Sequence, residues 1–253
     1  MDWTELTLFL YILARISGFV LFNPVLGRRS IPGPFRTGFI LVLSVAVISY
    51  TQPQFVPVPT SLVELGIKLL MELLLGFFLG MVMQFFFYIP QLAGEVIDTQ
   101  MGMTMNQIYD SGSQSNMSVT GVVLNVLMTL LFFVANGHHT LLRIMMTSGE
   151  IIPFGTAVPS TKAYDLMLEL FIQYTILAVK LCLPILAAEL VGQLGMGVLM
   201  KVIPQINVFS INIELKVIIG LVLLFMLISP FSEFFLQAEM VMLDDIRRVL
   251  ALA

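Results

Sequence analysis

The stretch from residue 62 to residue 89 decides what solvent this chain folds in. It is apolar apart from Glu64, Lys68, Glu72 and Gln84. A helix needs about 20 mostly apolar residues to span the hydrocarbon of a bilayer, and this run exceeds that. Further apolar runs cover 6–26, 38–50, 119–134, 166–190 and 215–231. The run at 38–50 is short, and the run at 62–89 is long enough to tilt or to bend at Pro90. All are continuous rather than alternating with period 2, which argues against a β-barrel. The expected fold class is all-α, an integral membrane helical bundle of about six hydrophobic helical segments. Composition agrees: 58% of the residues are hydrophobic and 11% charged, where soluble domains carry roughly a quarter charged. A mean hydropathy of +0.98 over the chain excludes one anchor on a soluble body.

Several functions fall away on the same grounds. A net charge of −4, with Arg28-Arg29 and Arg247-Arg248 the adjacent basic pairs, leaves no footprint for nucleic acid. Cys182 is the one cysteine, so no internal disulfide forms, and in an apolar run it reads as a small buried hydrophobe. The start, Met1-Asp2-Trp3-Thr4-Glu5, lacks the basic residues of a removable signal, so 6–22 is expected to be a retained span. His138 and His139 are adjacent and cannot share a helix face as His-x-x-x-His ligands do, so no metal or other cofactor is expected. Neither a Gly-x-Ser-x-Gly elbow nor a P-loop is present, and the expectation is a protein that is not an enzyme. Asn116-Met117-Ser118 matches a glycosylation sequon, a pattern short enough to arise by chance.

Arg28, Arg29 and Arg36 in the first connection, and Lys201 and Lys216 around the last, are expected on the cytoplasmic side; six spans then put the N-terminus outside. The connection 51–60 has neither Lys nor Arg, as an external loop should. The middle connection, 90–118, is the unusual part. It runs from Gln91 through Gly94-Glu95-Val96-Ile97-Asp98 and the alternating Met101, Met103 and Met105 to a polar tip at 110–118. It is too polar for lipid and too apolar for a free linker. Non-helical backbone at membrane depth survives where it is buried in protein or lines a watery cavity, so this segment is expected to line or gate a pore.

Charged residues in apolar runs are informative because an isolated one is expensive there. Glu64, Lys68 and Glu72 are spaced i, i+4, i+8 and are expected to neutralise one another on one helix face. Arg15, Lys180 and Glu189 have no such local partner and are expected to meet polar groups of other helices or subunits. Gly76 and Gly80 form a Gly-x-x-x-Gly that admits close approach of a second helix, and Gly192, Gly195 and Gly197 form another small-residue stretch. The chain holds 17 Met, with Met117 beyond the alternating three. Such flexible side chains either pack irregular gaps or seal a wide channel that must yield to a passing chain.

The order of motifs resembles the FliR family, a core subunit of flagellar type III export gates, together with its virulence-secretion counterparts (the SctT type). The likeness covers nearly the whole length. It begins with Ala14-Arg15-Ile16-Ser17-Gly18 followed by Pro24, Ile31-Pro32, Arg36-Thr37-Gly38, Glu64-Leu65 and Glu72-Leu73-Leu74-Leu75-Gly76 with Gly80. It continues through Gly94-Glu95-Val96-Ile97-Asp98-Thr99-Gln100-Met101-Gly102, Asn136-Gly137-His138-His139 and Ile152-Pro153-Phe154-Gly155. It closes with Pro204-Gln205-Ile206-Asn207-Val208-Phe209-Ser210 and Leu215-Lys216. The 94–102 block and the 204–210 turn are the most specific. One departure is the tip, where family members often carry Asp-Pro near Asp110-Ser111.

The resemblance implies a non-enzymatic subunit of a multi-pass channel in the bacterial inner membrane, at the flagellar basal body. FliP-like and FliQ-like subunits would complete that channel, an FlhB-like subunit would associate, and unfolded export substrates would pass. Energy would come from the proton motive force and a cytoplasmic ATPase complex. It also implies a FliP-like part at 1–161, including the pore loop 90–118, and a FliQ-like helical hairpin with a C-terminal helix at 164–253. Parts of such bundles sit above the bilayer plane, so the six segments need not be literal crossings. Residues 108–117, with Ile108, Tyr109, Asp110 and Met117, would plug the closed pore, and Met101, Met103 and Met105 would stand near its constriction. Two other classes remain. A small-solute or ion transporter should show inverted repeats and charges converging at the midplane, which Lys180 and Glu189 alone do not supply. An intramembrane enzyme would need a catalytic cluster.

Overall fold

The computed structural model describes residues 3–28, 30–50, 58–104, 107–110, 115–158, 160–202 and 208–252. Within them lie eight helices and one two-stranded sheet, in the order α1 (Trp3–Phe22), α2 (Gly33–Tyr50), α3 (Leu62–Met101), β1 (Gln107–Asp110), β2 (Ser115–Ser118), α4 (Val119–Val134), α5 (Gly137–Ile151), α6 (Thr161–Val202), α7 (Val208–Met226) and α8 (Ile228–Leu252). The all-α membrane bundle expected from hydropathy is the architecture found. By length and composition α1, α2, α3 and α6 can each cross a bilayer. The count rises to six if α4 with α5 (bent by 64°) and α7 with α8 (bent by 59°) each form one span.

Some boundaries differ from the hydropathy runs, each for a local reason. The second run gains a turn because α2 begins at Gly33, with Pro34 in the first turn, where a missing N–H costs nothing. Helix α3 does not stop at Pro90 but continues to Met101, so the first part of the supposed 90–118 loop is helical. The reason is a stripe at spacing four, Ile89, Ala93, Ile97 and Met101, all fully buried. Helix α6 likewise runs through Pro184. The run 215–231 is broken at Leu227 between α7 and α8. Helices α5 and α8 were not visible as apolar runs because each buries one stripe and exposes polar residues opposite. For α5 that stripe is Leu141, Ile144, Met145 and Ser148; for α8 it is Phe231, Phe235, Ala238, Met242, Ile246 and Val249.

The chain divides into two compact units. One comprises Met1–Phe86, Asn136–Ile172 and Glu239–Ala253, the other Phe87–Ala135 and Gln173–Ala238. In the first, α1 buries Leu8, Tyr11, Ile12, Arg15, Ile16 and Phe19 at helical spacing. It packs against α2, which itself touches α5. Helix α2 buries only the narrow stripe Ile40, Ser44 and Val47 and leaves Leu41, Val42 and Val45 exposed. An apolar outward face of that kind suits hydrocarbon or another subunit, not water. In the second unit α3 from Phe87 onward, the hairpin β1–β2 and α4 follow one another closely, with Phe87 edge-on to Phe132 of α4 at 5.9 Å between ring centroids.

Candidate functional site

The site grows from the way α3 ends. Gly102 adopts φ +80°, a left-handed conformation that a Cβ disfavours. Its N–H reaches the carbonyl of Thr99 at 3.2 Å, and the next N–H, of Met103, reaches that of Asp98 at 2.8 Å. These two bonds form a Schellman motif, which satisfies carbonyls that a helix end would leave bare. The same turn of α3 also prepares the start of α4. Asp98 Oδ2 accepts the N–H of Thr120 at 3.2 Å, and the N-cap Ser118 hydroxyl accepts that of Gly121 at 3.1 Å. A carboxylate at a helix N-terminus is favoured by the helix dipole as well as by the hydrogen bond. Gly94 lets the two helices touch, because a Cβ there would fall on the backbone of Gly121.

Between these fixed ends stands an antiparallel hairpin with Gln107 opposite Ser118, Ile108 opposite Met117, Tyr109 opposite Asn116 and Asp110 opposite Ser115. Met117 is buried and takes a long contact, 3.9 Å, from the Gln91 amide. Ile108 and Tyr109 are 44% and 64% exposed. Large apolar side chains are thus held out on a short, two-stranded projection. An isolated two-stranded hairpin is marginal in water; here both its ends are anchored on helices.

A second polar constellation lies in the first unit and is wholly buried. Arg15 on α1 meets Glu72 on α3 through two contacts, Nε to Oε2 at 2.6 Å and Nη2 to Oε1 at 3.1 Å. The remaining guanidinium donors reach the Ile152 carbonyl, both at 3.1 Å, and the Ser148 hydroxyl at 3.3 Å. The Phe154 ring lies 4.3 Å from the guanidinium carbon, a cation–π distance. Glu72 Oε1 also accepts the Gly155 N–H at 2.7 Å, from a turn where Gly155 has φ +83°. Such an approach of α1 to α3 needs small residues. A Cβ on Gly76 would strike the carbonyl of Arg15, and one on Gly18 would strike that of Leu73. Gly80 lies against Phe22, 3.1 Å from where its Cβ would be.

Residues 6–240 match the sequence profile of bacterial export proteins, family 1. The chain is 29% identical over 244 residues to the flagellar biosynthetic protein FliR of Escherichia coli K12, covering 95% of this chain and 93% of that protein. The FliR of Aquifex aeolicus is 30% identical over 210 residues, covering 83% and 81%. That of Bacillus subtilis is 26% identical over 248 residues, covering 96% and 95%. The chain belongs to the FliR family of bacterial export proteins.

Several motif residues of this FliR-family chain fall in the two constellations. Arg15, Gly18, Glu72, Gly76 and the turn 152–155 converge in one cluster, while Gly94, Asp98, Met101 and Gly102 shape the end of α3. The expected Glu64–Lys68–Glu72 ladder needs correction. Glu64 and Lys68 do pair, at 2.8 Å on a half-exposed face, but Glu72 turns inward to Arg15, because a buried guanidinium needs a bidentate partner more than a surface ladder needs a third member. Arg15 therefore meets its polar groups within this chain. The motif 152–155 stood out in the sequence, but the roles of the Ile152 carbonyl and Gly155 N–H did not, and Ser148 was not singled out at all.

Among the pore-segment residues, Met101 is fully buried, and a Cβ on Gly220 of α7 would strike its thioether. Met103 is half-buried, while Met105 lies outside the described residues, as do 111–114. Lys180 is exposed on α6. Glu189 is 1% exposed with neither carboxylate oxygen hydrogen-bonded among the described residues. A Cβ on Gly192 would meet the tip of Ile219 of α7 at 3.3 Å, while Gly195 and Gly197 have nothing within 4 Å among the described residues. His138 and His139 stack on each other with ring centroids 4.2 Å apart.

Proposed function

We propose that this chain is a structural subunit of the flagellar type III protein export gate. With FliP-like and FliQ-like subunits it forms the inner-membrane channel through which unfolded flagellar proteins leave, and an FlhB-like subunit joins it at the basal body. The role is not enzymatic. One observation carries the reading: a hairpin that presents Ile108 and Tyr109 outward, anchored at both ends, interrupts an otherwise helical membrane chain. Generic helix packing has no use for it, whereas a channel that must close around nothing and open around a polypeptide does. In this reading Ile108, Tyr109, Asp110 and Met117 form the plug with Met103 and Met105 at the constriction, and Met101 secures the base from within. The exposed apolar faces, such as Leu41, Val42 and Val45 on α2, meet sister subunits or lipid. Residues 1–161 act as the FliP-like part and 164–253 as the FliQ-like hairpin with its C-terminal helix. The relatives are named for flagella, which favours flagellar over virulence export.

Two experiments test this. Tagged protein should co-purify with FliP-like and FliQ-like partners from its host membrane; isolation as a lone monomer or homo-oligomer refutes the assembly. Deletion of residues 110–116, sparing the Ser118 cap, should leave assembly intact and make the channel leak ions. A deleted form as ion-tight as the parent removes the plug from consideration.

A further inference from the structure

At the foot of the hairpin the last turns of α3 and both strands enclose a cavity of ≈ 110 Å³. Asp98 lines it. This residue is 1% exposed, and while its Oδ2 takes the Thr120 N–H, its Oδ1 is buried with no hydrogen-bond partner among the described residues. A buried carboxylate oxygen left bare is costly, and sites tolerate it where an ion or water completes the shell. The other lining side chains point to which. Glu95 and Gln91 come from α3, Gln107 from β1, and Asn116 and Ser118 from β2, all oxygen-bearing, with no Lys or Arg in the lining among the described residues. Two carboxylates share one cavity, and none of the described residues lining it carries a positive charge.

We infer that this cavity is a binding site for a hard, oxygen-seeking cation, with Asp98 its inner ligand and Glu95 its ligand at the mouth. The donor set decides the class. Carboxylate, amide and hydroxyl oxygens suit Na⁺ or Ca²⁺, whereas thiolate and imidazole, which select zinc and copper, do not line the cavity. The thioethers of Met103 and Met117 form its apolar wall. Ca²⁺ accepts six to eight oxygens in loose geometry, which a mixed lining can provide; Mg²⁺ demands a near-octahedral shell and keeps its waters. Asp98 alone balances Na⁺, and Asp98 with Glu95 balances Ca²⁺. The ligands come from α3 and from both strands, so an occupied site ties the hairpin down onto α3. This follows from the cavity and its charges and holds whether or not the hairpin seals a pore.

The test uses the full-length chain purified in detergent, stripped with chelator and kept in choline chloride. Its unfolding midpoint is followed as CaCl₂, NaCl or MgCl₂ replaces choline at matched ionic strength. A ligand at about a hundred times its Kd raises the midpoint by several degrees. The expected result is a saturable rise with Ca²⁺ or Na⁺, larger than with Mg²⁺, and weakened at least tenfold by Asp98→Asn. Glu95→Gln should weaken Ca²⁺ and spare Na⁺ if the ion is monovalent. Because Asp98→Asn also alters the start of α4, Tb³⁺ luminescence sensitised through Tyr88, another lining residue, is read in parent and in Asn116→Ala; emission displaced by Ca²⁺ and reduced by the variant supports the site. No salt-specific rise with no displaceable Tb³⁺ signal, or equal responses in parent and Asp98→Asn, overturns it in favour of a cavity holding water alone.

Discussion

Removing Glu72 should be among the most damaging single changes this chain can suffer, and the reason can be worked atom by atom. Both partners of the Arg15–Glu72 pair are 0% exposed. Glu72→Ala strands a guanidinium that keeps only the Ile152 carbonyl and Ser148 hydroxyl as acceptors, and it bares the Gly155 N–H. Breaking a buried pair from one side costs about 3–5 kcal/mol. A cost near ~4 kcal/mol lowers the folded-to-unfolded ratio roughly a thousandfold and the unfolding midpoint by about 10 °C. Replacing both partners, as Arg15→Met with Glu72→Leu, removes the stranded charge and leaves the Ile152 carbonyl and Gly155 N–H, each worth about 1–3 kcal/mol when bare. The Ser148 hydroxyl still donates to the Met145 carbonyl at 2.8 Å. The double variant should therefore be more stable than Glu72→Ala. Lys68→Ala, which breaks the exposed pair with Glu64, should change stability little beside either. Thermal or denaturant unfolding of the purified chain reads all three, together with Arg15→Met and Glu72→Leu each alone. If the double variant loses as much as the two single changes added together, the pair is not coupled and the reasoning fails.

Other outcomes follow from backbone contacts. Gly76→Ala should destabilise by about 1–3 kcal/mol, since its Cβ meets the Arg15 carbonyl, whereas Gly66→Ala, exposed with nothing within 4 Å, should stabilise by about 0.5–1 kcal/mol; unfolding midpoints moving the same way would contradict the assigned contacts. Leu at Gly76 or Gly80 should abolish recovery of the assembled complex, and normal yield would show that α1 and α3 tolerate separation. Gly102→Ala should cost about 1–2 kcal/mol by forcing a Cβ into the left-handed region, seen as faster amide exchange at the end of α3. Gly94→Leu should part α3 from α4 and expose Met117 to limited oxidation, and unchanged protection of that methionine would refute the contact with Gly121.

How much of this was legible depended on which signal each element sends. Helices α1, α3 and α6 announce themselves because their length and apolarity are averaged over many residues. Helices α5 and α8 hide because averaging cancels a buried stripe against a polar face, and the i, i+3, i+4, i+7 spacing of Leu141, Ile144, Met145 and Ser148 was the signal to read. Pro90 misled for a related reason. A proline removes one hydrogen bond, and the four-residue repeat from Ile89 to Met101 outweighs it. The Glu64–Lys68–Glu72 spacing was real but local; Glu72's partner is 57 residues away, and nothing in the helix period encodes that distance. The middle segment drew attention through its composition, although the hairpin register and the Asp98 link to α4 depend on how two chain ends return to one place.

The two anchors of the hairpin separate what must be kept from what can vary. Met103 N–H on Asp98, Thr120 N–H on the same residue and the Ser118 cap on Gly121 fix where the segment leaves and re-enters the helices. None of those bonds involves a residue between Met103 and Ser118. A tip of different length or chemistry could therefore be exchanged like the bit of a tool held in an unchanged chuck, at an entropic cost of only about 0.6 kcal/mol for each doubling of its length.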